Sequence, residues 1–317
     1  MTKFPAAGLA LLCLTTAAPA LACSSCGCNL TSEWLSQGLV VQPGTSLDLR
    51  YDDVPQTQLR AGRGVLDGKA IALPADREIE RYTYNHYVTA ILDRQFDPVW
   101  GVDVQVPFVY RPHLTVSPGD TEPSSSRTGG LGDIRVTGRW QGFGGPGITG
   151  IQFGLKLPTG NFREEFIAGP STGEATDRGL QPGTGTIDAT IGAYHFGQLA
   201  RGIDFVLQAQ ATLPLDNRDL YSPGIAGTAS AGVHFTGWRG VTPQVQLNAR
   251  LAERDHGVNS DRENSGGEFV SIAPGATVAV GRRAAIYTIV QVPVYQRVGG
   301  YQLTPRYTLS VGAHYRL

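Results

Sequence analysis

The stretch RYTLSVGAHYRL, residues 306–317, decides how the rest of the chain is read. In an extended chain successive side chains point to opposite sides. Tyr307, Leu309, Val311, Ala313, Tyr315 and Leu317 therefore share one face, and Arg306, Thr308, Ser310, Gly312, His314 and Arg316 share the other. The first face suits lipid and the second suits water. Such a strand cannot be left with an open edge, so its neighbours should carry the same two-sided pattern.

Working back from it, eleven more segments alternate in this way. They span residues 46–53, 81–93, 99–110, 130–141, 148–157, 186–196, 203–213, 225–235, 241–252, 268–280 and 284–295. In the third, Trp100, Val102, Val104, Val106, Phe108 and Tyr110 share a face. In the seventh, Phe205, Leu207, Ala209 and Ala211 oppose Asp204, Gln208, Gln210 and Thr212. Each segment is about ten residues, enough to cross a bilayer when tilted. The connections after the odd segments are long and polar (54–80, 111–129, 158–185, 214–224, 253–267 and 296–305). Those after the even segments are short (94–98, 142–147, 197–202, 236–240 and 281–283). Strict alternation gathers all long loops at one end, which is the pattern of extracellular loops and periplasmic turns, with an even strand count and both termini periplasmic. The expectation is an all-β fold: a transmembrane, antiparallel, up-and-down β-barrel of about twelve strands over residues 45–317. Residues 306–317 should close it against residues 46–53. At the outer ends of the odd segments an aliphatic residue meets proline (Val54-Pro55, Val106-Pro107, Leu157-Pro158, Leu213-Pro214 and Val292-Pro293). Proline cannot donate to a ladder, so these are expected ends or bulges.

The N-terminus points to the same compartment. Residues 1–22 have one charge at Lys3, an apolar run over 8–18 interrupted by two threonines, and the small-residue pattern Ala20-Leu21-Ala22. That reads as a secretory signal peptide, because the run is too short to span and ends in a small-x-small site. About 295 residues then remain, with the glycine-rich, β-prone composition of one unit. A formal charge of −1 favours neither nucleic acid nor an anionic membrane surface as partner. Positive charge is nearly all arginine, since only Lys69 and Lys156 follow the signal.

Three runs carry a resemblance: GGLGDIRVTGRW (129–140), IQFGLKLPTG (151–160) and QVPVYQRVGGYQL (291–303). Together they resemble the outer-membrane "meta-pathway of phenol degradation" group of transporters, itself distantly similar to long-chain fatty acid and aromatic-hydrocarbon channels. The shared motifs, Gly-x-Gly-Asp and Leu-Pro-Thr-Gly, are turn and rim signatures. The terminal strand, apolar or aromatic at its last position and two before it, resembles the C-terminal assembly signal of bacterial outer-membrane barrels, with Leu317 where phenylalanine is usual. The resemblances imply the outer membrane of a Gram-negative bacterium, contact with its lipid and with the barrel assembly machinery, and transport of a small solute without naming it.

The water-facing sets place Asp48, Arg50, Asp103, Asp133, Arg135, Arg139, Asp204, Gln208, Gln246 and Arg250 in the lumen. With both signs and many amides, that interior is either a water-filled pore or a packed, hydrogen-bonded filling. Residues 23–44 form a cysteine-rich leader whose segment 29–37 can make two helical turns, as a plug or as a surface-docked leader. Cys13 leaves with the signal, so Cys23, Cys26 and Cys28 of CSSCGC remain, an odd number. Three such thiols can hold copper or zinc, with His314 or His234 as a further ligand. They can instead form a structural or redox-active disulfide in an oxidising compartment, or Cys23 can carry a lipid anchor. No Gly-x-Ser-x-Gly or His-Glu-x-x-His occurs, and no histidine adjoins a recognisable nucleophile motif, so an enzyme is not expected.

Overall fold

The structure is a computed structural model that describes residues 43–317. Twelve staves form the wall: β1 (Gly44–Ala61), β2 (Ile79–Gln95), β3 (Trp100–Val116), β4 in two pieces (Ser124–Leu131 and Ile134–Trp140), β5 (Ile148–Leu157), β6 (Asp188–Ala200), β7 (Ile203–Pro214), β8 (Ala226–Phe235), β9 (Val241–Ala252), β10 (Gly267–Val280), β11 (Ala284–Val298), and β12 in two pieces (Tyr301–Pro305 and Thr308–Arg316). Every neighbouring pair is antiparallel. Closure is made by β1, which pairs with β2 on one side and β12 on the other, from Ser46↔Arg316 to Asp53↔Leu309. The barrel therefore has no open edge, which is what lets a sheet stand in lipid.

Alternation decides the faces. Along β1, Leu47, Leu49 and Tyr51 are exposed outward while Asp48, Arg50 and Asp52 are buried inward. The same holds around the circumference, with Leu92, Phe108, Ile151, Ile191, Leu207, Leu251, Ile272 and Val292 all on the outside. Leaving such side chains in water forfeits about 1.5–3 kcal/mol each, so the outer face is a lipid surface. Aromatic residues bound it. On β3 the outward row runs from Trp100 to Tyr110, and ten residues at about 3.3 Å, tilted by about 40°, span about 25 Å.

The proline positions coincide with irregularities. β5 and β7 end beside Pro158 and at Pro214. Opposite Pro293 the β10–β11 register shifts, and next to Pro55 the β1–β12 register shifts. Pro107 faces the break between the two pieces of β4, where the ladder lacks its N–H.

Three of the expected loops need correction. Residues 54–61 and 111–116 continue as strand, so the expected loops 54–80 and 111–129 shrink to 62–78 and 117–123; the expected loop 296–305 becomes a tight reversal at 299–300. The long-and-short alternation thus fails at two hairpins, where the wall rises above the lipid belt instead. There both faces meet water or loops, so no apolar–polar alternation marks the strand. The raised wall has a small apolar core of its own, Leu59, Ile79, Val116 and Leu303, covered by Leu66, Ile71 and Leu73 of the loop 62–78. The sequence expectations for residues 1–42 lie outside the described residues.

Candidate functional site: the lumen and its inner loop

Below the middle of the barrel the inward side chains meet one another. Arg139, with no exposed surface, pairs with Asp93 at 2.5 Å and Asp103 at 3.2 Å, and reaches Gln95. The Tyr287 hydroxyl donates to Asp48 at 2.7 Å, and Arg50 pairs with Asp52 at 2.8 Å while the Ser310 hydroxyl also donates to Asp52. Gln152 donates to Gln210, linking β5 to β7. Ile91 on β2 packs against Tyr194 on β6, four staves away, with Ile148 and Phe196 beside them. A contact across so many staves makes a waist. Of the two readings of the interior, the packed, hydrogen-bonded filling describes this half.

The other half is shaped by the loop 158–187. Its grip uses the rim motifs. Thr159 Oγ1 donates to the carbonyl of Gly132 and accepts from the N–H of Ile134, so it bridges the gap in β4. Asp133, the acid in that gap, accepts from the N–H groups of Gly160 and Thr184 and from the Thr184 hydroxyl. Lys156 holds Asp133 at 3.4 Å and Asp188 at 2.6 Å. Deeper along the loop, Arg111 donates to the carbonyls of Gly179 and Gln181, and the Thr128 hydroxyl donates to that of Leu180, whose side chain is buried. These bonds draw residues 178–184 inward over the lumen.

Between waist and loop lies a cavity of about 340 Å³. It is walled by Arg50, Gln105, Arg135, Lys156, Arg178 and Arg250 among polar groups, and by Pro107, Val109, Pro182 and Tyr221 among apolar ones.

Each expected lumen residue lies on the inward row of its stave, and the structure divides them by depth. Asp48, Asp103, Arg139, Gln208 and Gln246 are buried in the waist; Arg50, Asp133, Arg135 and Arg250 border the cavity; Asp204 faces inward at the short-turn end, in register with His234. Asp93, Tyr287, Tyr194, Lys156, Asp188 and the whole inner loop were not anticipated. The one usable signal was Lys156, half of the lysine content after residue 22. The expected metal or anchor residues Cys23, Cys26 and Cys28 lie outside the described residues. His314 Nδ1 stands 3.9 Å from Asp48 Oδ2, and no grouping of three or more His, Cys, Asp or Glu that could hold a metal occurs among the described residues.

No protein-family model matches the chain, and no curated protein matches it. Solved structures do. The COG4313 outer membrane channel from Pseudomonas putida F1 superposes with a TM-score of 0.66 at 13% identity, covering 88% of this chain and 97% of that one. The fold is that of an outer-membrane β-barrel. The translocator domain of the autotransporter NalP from Neisseria meningitidis has a TM-score of 0.51 at 10% identity, covering 89% of this chain and 92% of that one. A channel and a translocator domain share this wall, so the barrel alone does not choose a function.

Proposed function

We propose that this protein is an outer-membrane channel that passes a small solute through its lumen, and that it is not an enzyme. The observation that carries the reading is the cavity inside a closed wall, set between a side-chain waist and one inward loop. No backbone from the described staves crosses the waist. What closes it are side-chain ion pairs, hydrogen bonds and the Ile91–Tyr194 packing; a neutral hydrogen bond contributes about 0.5–1.5 kcal/mol net and one to a charged group about 1.5–3 kcal/mol. Opening it requires rearrangement of side chains and no unfolding of the wall.

In this reading the loop 158–187 faces the exterior, the short turns face the periplasm, and both termini lie on the periplasmic side. The rim motifs that resemble the phenol meta-pathway group then act as a clasp for the outer loop. Single-channel recording of the refolded mature protein in planar bilayers tests the proposal. Discrete conductance steps are expected; a barrel that migrates as folded yet stays electrically silent and impermeable to small solutes overturns it.

A further inference from the structure

The charges around the cavity do not balance pair by pair: six basic side chains line it against five acidic ones, Glu253 and Asp255 among them. Arg50 is matched by Asp52, and Lys156 lies between Asp133 and Asp188. Asp133 is further held by two backbone N–H groups, and Asp255 accepts from the N–H of Gly224 and the hydroxyl of Tyr221. Two arginines on the cavity wall have no carboxylate partner among the described residues. Arg135 is exposed to the lumen and makes no ion pair. Arg111 is 7% exposed; it donates to two carbonyls and to the Tyr87 hydroxyl, and its Nε has no acceptor. A buried guanidinium whose partners are carbonyl and hydroxyl oxygens, with no carboxylate, lies in a low-dielectric wall, where its attraction for an anion exceeds that of a surface arginine.

Along β3 the wall between the levels of the two arginines is apolar. The inward row of β3 reads Gln105, Pro107, Val109, Arg111. Gln105 pairs in register with Arg135 at the waist end of the row, and Arg111 stands at its loop end. Pro107 offers no N–H to a solute, so the Pro107–Val109 step presents apolar surface to it.

We propose that the cavity is a binding subsite for a small organic carboxylate. Its charged end is taken by Arg135, with Gln105 beside it, its apolar body lies along Pro107 and Val109, and Arg111 supplies the field at the entrance. The cavity volume is at the lower end of the range for small-molecule sites. The inference rests on the channel reading and names the class of its solute.

The test uses the mature protein in detergent and three five-carbon probes, the isosteric pair pentanoate and pentanamide, and pentylammonium. Saturation-transfer NMR titration at pH 7.5 should show binding of pentanoate and none of pentylammonium. Arg135→Gln should weaken pentanoate about tenfold, the effect of removing one charged hydrogen-bond partner, whereas Arg135→Lys should retain most of the affinity. Reversal potentials across a KCl gradient should show anion preference that Arg135→Gln reduces. If pentanamide binds as well as pentanoate, the inference is overturned, and this comparison needs only the parent protein should a variant fail to fold. Conductance without charge preference leaves the channel standing and removes the carboxylate site. Arg135-dependent binding without conductance does the reverse.

Discussion

Gly312 shows how little room the waist leaves. A Cβ placed there would lie 2.2 Å from Tyr287 Cζ, so the tyrosine ring lies directly over the glycine and reaches Asp48 from that position. Gly312→Ala must push the ring aside and break its bond to Asp48. A loss of about 1–3 kcal/mol is expected, read as a lower denaturant midpoint for the folded form; Tyr287→Phe, which keeps the ring but leaves buried Asp48 without its donor, should also lose about 1–3 kcal/mol. Equal midpoints for Gly312→Ala and the parent would show that the ring is not held.

His113 makes a second residue-level prediction, in the raised wall outside the lipid belt. Its Nδ1 lies 2.8 Å from Thr83 Oγ1 and its ring packs near Phe166 of the inner loop. Burial, and then the positive charge of Arg111, push its pKa down to about 3. In the unfolded chain a histidine takes a proton near pH 6.5, so between those values the unfolded state binds more protons and stability rises with pH. The contribution is complete above pH 6.5 and is lost as pH falls toward 3. Limited proteolysis of the loop 158–187 should accelerate over that window in the parent and vary less with pH in His113→Asn. Parallel pH profiles would remove His113 as the cause.

At the scale of elements, the interrupted β4 and the inner loop form one device. Pro107 denies β4 a ladder bond, the strand opens at Gly132 and Asp133, and the opening receives Thr159 and Thr184. A regular strand would offer no such socket. Thr159→Val removes two hydrogen bonds and leaves the Gly132 carbonyl and the Ile134 N–H without their partner, at a cost of about 1–3 kcal/mol for each group not reached by water. The expected result is faster cleavage within residues 158–187 and a larger unitary conductance, with the barrel still folded. Unchanged conductance with a released loop would place the constriction at the waist alone. Both motifs stood out in the sequence as rim signatures, but their mating did not. Residues 132–133 and 159–160 belong to different elements, and nothing periodic links them.

For the whole molecule, stability depends on closure. β12 is the only stave that shields both β1 and β11 from lipid. Removing residues 308–317 exposes two edges at once, and unpaired N–H and C=O groups in hydrocarbon cost several kcal/mol each. The truncated chain should never yield the compact, heat-modifiable form on gels; a folded eleven-stave product would refute the closure argument.

The sequence by itself determined the class of object, the number of staves and which side chains face inward. Lipid requires one face of each strand to be apolar, and a period of two is written in adjacent residues such as Leu47, Asp48, Leu49 and Arg50. Above the lipid belt that requirement lapses, which is why residues 54–61 and 111–116 looked like loop. Only the tertiary structure decided whether the lumen is filled or open, since Arg139 meets Asp93, and Ile91 meets Tyr194, through the curvature of the wall and not through any local pattern. The same curvature, with the loop 158–187 drawn in by Asp133 and Arg111, left Arg135 facing a cavity instead of a partner.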